Sequence, residues 1–210
     1  SSTNNPVATI GRSHQEWGND SDFAALKTDG SVVTWGRNDY DLSEIESDLT
    51  SNVNQIFTNS YAFAALKTDG SVVSWGNSIY GGNSSTVSTD INSDVSKVFS
   101  TSGAFAALKT DGSVITWGDS NYGQDISGVS SDINSDVSNI FSTEQAFAAL
   151  KNDGSVISWG KVGDWDDLTN IDTTDVSSDL NSGVSTILST RHAFAALKTD
   201  GSVVTWGASD

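Results

Sequence analysis

The chain has 210 residues and a mass of 22.0 kDa, with 36% hydrophobic and 9% aromatic side chains, enough for a packed core and too apolar for wholesale disorder. Cysteine and methionine are both absent, which removes disulfides, thiolate nucleophiles and cysteine-ligated zinc, and the missing Met at position 1 marks a processed chain or a piece of a longer one. Ten Lys and Arg against 27 Asp and Glu leave a formal charge of -17, which argues against nucleic acid or an anionic membrane as partner, and no apolar run approaches the roughly 18 residues that membrane insertion needs.

Val7 and Ile10 open the chain with a short strand signal. Ser13 to Asp20 follows, a segment containing Trp17 and longer than its later equivalents. Phe23 then begins the run Phe-Ala-Ala-Leu-Lys-Thr-Asp-Gly-Ser-Val-Val-Thr-Trp-Gly, which ends at Gly36. Asp29-Gly30 between two β-rich stretches predicts a hairpin with a two-residue turn. That turn sets Leu26 opposite Val33 and Ala24 opposite Trp35, so these four share one face while Phe23, Ala25, Val32 and Thr34 share the other.

The same order then returns. Short strands are predicted at Val53/Ile56, Val95/Val98, Val137/Ile140 and Val184/Ile187, and hairpins start at Phe63, Phe105, Phe147 and Phe194, spaced by 40, 42, 42 and 47 residues. Asp48, Asp90, Asp132 and Asp179 each lie 15 residues before the Phe, so all length variation falls between Trp-Gly and that Asp, in an exposed connection. The repeats are 7–36, 48–76, 90–118, 132–160 and 179–207 of a single domain, 1–210. Both hairpin faces are mostly apolar and need cover on both sides. That predicts an all-β chain, a β-propeller of five repeated blades with the repeat Trp residues buried between them. Part of a larger propeller and a β-solenoid are the alternatives.

The pattern Ala-Leu-x-x-Asp-Gly-x-Val-x-x-Trp-Gly resembles the regulator-of-chromosome-condensation repeat. Repeat three carries it best, from Ala107 to Gly118 and on to Tyr122-Gly123-Gln124. The resemblance runs from about residue 7 to residue 207 and implies propeller blades, usually seven to a ring. The family often has a His four residues before the Leu, where this chain has Asp22, Ala62, Ala104, Ala146 and Ala193. In this it is more similar to the regular bacterial versions found in large surface or secreted proteins, and these departures weaken any transfer of the nucleotide-exchange role that named the family. Secreted propellers of this kind that inhibit β-lactamases imply work by protein binding alone.

The repeated Lys27, Lys67, Lys109, Lys151 and Lys198 and the turn residues Asp29, Asp69, Asp111, Asp153 and Asp200 recur in every unit, as residues of a scaffold do. No nucleophile, base and orienting group share a local signature, so a non-enzymatic protein without a cofactor is expected. Asp164, Asp166 and Asp167 in the long Lys161–Asp175 loop are candidate calcium ligands, though without EF-hand spacing. Tyr40, Tyr80, Tyr122 and Trp165 recur after the Trp-Gly, and with Trp17 they are the candidate contacts to a protein or glycan partner. The expected function is an extracellular interaction or display module of a larger surface protein or appendage, with other copies or domains of that assembly as further partners. A lectin with equivalent sites between blades is the alternative.

Overall fold

The computed structural model describes residues 19, 21–36, 42–163 and 167–208. Five antiparallel sheets follow one another along the chain. The first pairs β1 (Asp22–Leu26) with β2 (Val32–Gly36). The second holds β3 (Val53–Thr58), β4 (Ala62–Lys67) and β5 (Val72–Gly76). The third holds β6 (Val95–Ser100), β7 (Ala104–Lys109) and β8 (Val114–Gly118). The fourth holds β9 (Val137–Ser142), β10 (Ala146–Lys151) and β11 (Val156–Val162), extended by β12 (Thr169–Asn170). The fifth holds β13 (Val184–Ser189), β14 (Ala193–Lys198) and β15 (Val203–Gly207). Each sheet is one repeat and one propeller blade. The first-strand signal at Val7 and Ile10 lies outside the described residues.

The hairpin register differs by one residue from the two-residue expectation. Leu26 pairs with Val32 and Phe23 with Trp35, and the other four blades repeat this register. The cause is the turn. Asp29 Oδ1 accepts both the Ser31 amide, at 3.0 Å, and the Ser31 hydroxyl, at 2.6 Å, while Gly30 takes φ +80°. Three residues are thereby enclosed, in a turn closed by a left-handed glycine. The two faces are therefore Phe23/Ala25/Val33/Trp35 and Ala24/Leu26/Val32/Thr34, both still mostly apolar.

The Ser hydroxyl, then the Ser amide, hold the carboxyls of Asp29, Asp69, Asp111, Asp153 and Asp200 below the ordinary Asp value. A folded-state value below the unfolded one means that folding is favoured when the group is ionised. This contribution is complete above the unfolded value, about pH 4, and is lost as pH falls through the folded value. Melting temperature should therefore fall below about pH 4, and replacing Ser31, Ser71, Ser113, Ser155 and Ser202 together with Ala should flatten that fall.

Four cores join the blades in succession. At the junction of blades two and three, Ala62, Ala64, Leu66 and Val72 pack on Val95, Val98, Phe105, Ala107 and Trp117. The other three junctions repeat this set, except that blade one carries Asp22 where the later blades carry the first Ala. Leu49, Ile91, Ile133 and Leu180, each the residue after the repeated Asp, are buried plugs in these cores. The repeated Lys, expected to cap a strand edge, grips this same connection. Lys67 Nζ meets Asp48 Oδ1 at 2.9 Å, and Lys109, Lys151 and Lys198 donate to the carbonyls of Asp90, Asp132 and Asp179 at 2.6–2.8 Å. Backbone bonds fasten the same end. The amides of Val53, Val95, Val137 and Val184 donate to the carbonyls of Gly30, Gly70, Gly112 and Gly154 in the preceding blade, at 2.9–3.0 Å.

Trp75, Trp117, Trp159 and Trp206 are buried between blades as expected. Trp35 is not: no blade precedes it among the described residues, and it lies exposed beside Phe23. No core cluster of the described residues combines blade five with blade one.

Candidate functional site

Each blade has two ends of different character. The Asp-Gly turns, the Lys contacts and the buried plugs form one end, closely similar from unit to unit. The turns joining the first and second strands form the other. They open on Asn59, Thr101, Thr143 or Thr190, whose side-chain oxygens accept the amide three residues on, at 2.7–3.1 Å. Asn and Ser/Thr side chains stabilise turns in this way by standing in for a backbone acceptor.

The two residues held in each turn are Ser60-Tyr61, Ser102-Gly103, Glu144-Gln145 and Arg191-His192. From the turn opener to the Trp-Gly, blades two to five differ substantially in size and charge at these positions alone. A backbone chain links them across blades: Ser60 N–H donates to Ser102 O at 3.2 Å, Ser102 N–H to Glu144 O at 3.0 Å, and Glu144 N–H to Arg191 O at 2.9 Å. The loops after Trp-Gly start at this end too. Asn77, Asp119, Lys161 and Ala208 donate their amides to the carbonyls of Tyr61, Gly103, Gln145 and His192 at 2.9–3.0 Å.

A uniform scaffold thus presents a graded surface. At blades two and three it is small and aromatic, with the Tyr61 and Tyr80 rings 4.4 Å apart. At blades four and five it is charged. The Glu144 carboxylate is buried and takes a two-pronged contact from Arg191, with Nη2 to Oε1 at 3.2 Å. The Arg191 side chain itself remains 61% exposed, so it can meet a partner while holding Glu144. The buried Gln145 Oε1 and His192 Nδ1 have no hydrogen-bond partner among the described residues. Comparing the five copies for their differences, rather than for their shared motif, is the signal that marks this face in the sequence.

Of the candidate contacts, Trp17, Tyr40 and Trp165 lie outside the described residues, as do Asp164 and Asp166. Asp167 is exposed, and among the described residues no group of three His, Asp or Glu is placed to hold a metal ion. Tyr80 is half-buried, tilted against Tyr61 and edge-on to Tyr122. Tyr122 presents no open ring face. It is buried at 2% exposure, and burial pushes its phenol well above the ordinary tyrosine value. The Tyr-Gly recurrence has a packing reason: Gly81 and Gly123 present carbonyls to the indole N–H of Trp117 and Trp159 in the next blade, at 3.1 and 2.9 Å.

Two grooves recur at neighbouring blade junctions. One of about 320 Å³ is lined by Ser78, Ile79, Trp117 and Gln124, and one of about 430 Å³ by Ser120, Asp125, Trp159 and Lys161. Their tryptophans are buried, so neither groove offers an open aromatic plate.

Residues 95–124 match the regulator of chromosome condensation (RCC1) repeat. No curated protein matches the chain. Solved structures with the same fold include the ectodomain of the Physcomitrella patens receptor kinase CR4, at 16% identity and TM-score 0.53, covering 90% of this chain and 50% of that chain. Human WBSCR16 is similar at 20% identity and TM-score 0.50, with 90% and 60% covered. Prp20p of Saccharomyces cerevisiae, a structure described together with its binding to Gsp1p and histones, is similar at 18% identity and TM-score 0.51, with 90% and 56% covered. The chain spans 50% to 60% of the length of these structures. The matched segment lies in the third of five in-register copies, so the unit from which this chain is built is similar to the RCC1 repeat.

Proposed function

We propose that this chain is a non-enzymatic protein-interaction module whose partner docks on the face formed by the Ser60-Tyr61, Ser102-Gly103, Glu144-Gln145 and Arg191-His192 turns. One observation carries this: from the turn opener to the Trp-Gly, blades two to five are nearly identical except in these turns, where the strong differences in size and charge collect at one end. Binding residues sit on loops held by a rigid scaffold, and Tyr and Arg are the side chains that dominate interface energies. The protein partner of Prp20p and the ectodomain setting of the CR4 structure are compatible precedents for such a module. Exterior location is part of the proposal, supported by the acidic, Ser- and Thr-rich, cysteine-free composition. The Lys161–Asp175 loop starts from the same end, where the Lys161 amide donates to the Gln145 carbonyl at 3.0 Å.

The lectin alternative draws on the recurring grooves, in which the buried Trp117 and Trp159 offer no open stacking plate. A glycan array and a protein-interaction screen separate the two. With a protein partner in hand, Tyr61→Ala and Arg191→Ala should each weaken binding by about 2 kcal/mol if they are hot spots, whereas Lys97→Ala, off this face, should not. Specific glycan binding, or protein binding indifferent to both substitutions, would overturn the assignment.

A further inference from the structure

The groove between blades two and three is lined by uncharged residues throughout, among them Ser78, Ile79, Asn83, Thr86 and Gln124 beside the buried Trp117. Its sister between blades three and four carries Asp125 and Lys161, and a groove beside blade one carries Lys27, Asp29 and Glu46. The sequence explains the difference. Between Asp48 and Asp90 only Lys67 and Asp69 are charged, and both sit at the Asp-Gly end of the blade. On a chain of formal charge -17, the other end of blade two is therefore neutral. Ile79 stands in this groove at 61% exposure, with both neighbouring blades in place. Among the described residues, every other exposed large hydrophobic side chain belongs to blade one or blade five. An apolar anchor in a charge-depleted setting is the composition of an interface centre.

The sister groove shows what kind of chain fits such an edge. There the protein's own Thr169-Asn170-Ile171 segment forms one wall. Asn170 pairs with Lys161 and Thr169 with Val162, and the Ile171 amide donates to the Gly160 carbonyl at 3.0 Å. This segment is extended and uncharged. Gly118 of blade three stands where Gly160 stands in blade four, and it lines the neutral groove. Blade three ends at β8, with no fourth strand among the described residues. Asn83 and Gln124 bring side-chain amides, which match the donor and the acceptor of a peptide bond.

We propose that the groove between blades two and three takes an extended, uncharged peptide segment of the protein partner, with an apolar side chain against Ile79 and its main chain along Gly118, Gln124 and Asn83. This rests on the reading of the chain as a protein-interaction module and names the chemistry of one partner segment. Extended peptides are often held at sheet edges, where main-chain bonds give affinity and side chains give specificity. A charged segment would find no counter-charge in this lining. A sugar would find no ring to stack on, since Trp117 is 2% exposed. The groove is continuous with the variable turns, because Tyr80, next to Ile79, packs on Tyr61.

The test is selection of phage-displayed random peptides, about a dozen residues long, on the 210-residue chain. Enriched peptides should be uncharged around one aliphatic or aromatic residue, and their affinity should barely change from low to high salt. Ile79→Asp and Gln124→Glu should each weaken them by at least about tenfold, whereas Asp125→Asn in the sister groove should not. Ile79 is exposed, so its variant should keep the wild-type circular dichroism and melt. Peptides that depend on Tyr61 and Arg191 but not on Ile79 overturn the groove and leave the variable turns as the docking face. Peptides indifferent to all three residues overturn both. Failure to enrich any peptide overturns the groove, as does a neutral glycan whose binding Ile79→Asp abolishes.

Discussion

Replacing Trp117 with Ala should destabilise the protein by roughly 3–5 kcal/mol, the range for emptying a large buried aromatic site. The indole is 2% exposed, stacks on Phe105 at a centroid distance of 5.3 Å, and donates to Gly81 O at 3.1 Å. Its removal takes out the largest side chain of the junction between blades two and three and leaves the Gly81 carbonyl without that donor. The same substitution at Trp35, in the same place in its repeat but 54% exposed, should cost less than about 1 kcal/mol, the usual range for surface changes. Denaturant titration of the pair separates position in the repeat from position in the blade series. Equal losses would mean that blade one is covered as fully as blade three.

Gly112→Ala should be nearly as severe, at roughly 2–4 kcal/mol, combining a positive-φ penalty of about 1 kcal/mol or more with a collision. The φ is +82°, and the new Cβ would sit 2.6 Å from the Asp136 amide nitrogen, on backbone that cannot step aside without parting blades three and four. Gly201→Ala carries the strain without the collision, since nothing lies within 4 Å, and should cost only about 1 kcal/mol. The difference in melting temperature between the two variants isolates the inter-blade contact from the turn.

The sequence and the structure agree most closely where the repeat speaks. Five hairpins, two apolar faces, the buried Trp of blades two to five and a scaffold role for Lys and Asp were all legible, because each follows from a local pattern repeated along the chain. The hairpin register was legible only to within one residue. Asp-Gly reads as a two-residue turn, and the Ser that follows, which folds back on the Asp through two hydrogen bonds, moves the pairing. The plugs Leu49, Ile91, Ile133 and Leu180 sit beside the repeated Asp in plain sight, but their burial depends on the next blade. Tyr122 misleads for the same reason: an aromatic in a variable loop looks like a contact until the neighbouring blade covers it. The Glu144–Arg191 pair joins residues 47 apart, and no single repeat contains it. That the variable turns gather on one face requires knowing which strand ends lie together.

The central claim is that stability resides in the uniform parts of the blades and recognition in the variable turns. It is tested by making those turns uniform as well. In one variant, Ser60-Tyr61, Glu144-Gln145 and Arg191-His192 all become Ser-Gly, the pair blade three already carries as Ser102-Gly103. Glu144 and Arg191 leave together, so no buried carboxylate is stranded, and removing both members of a pair is close to neutral for stability. Thermal melting beside partner affinity is the measurement. The account predicts a melting temperature near wild type with partner binding lost; a collapsed melt, or a normal melt with binding intact, would contradict it.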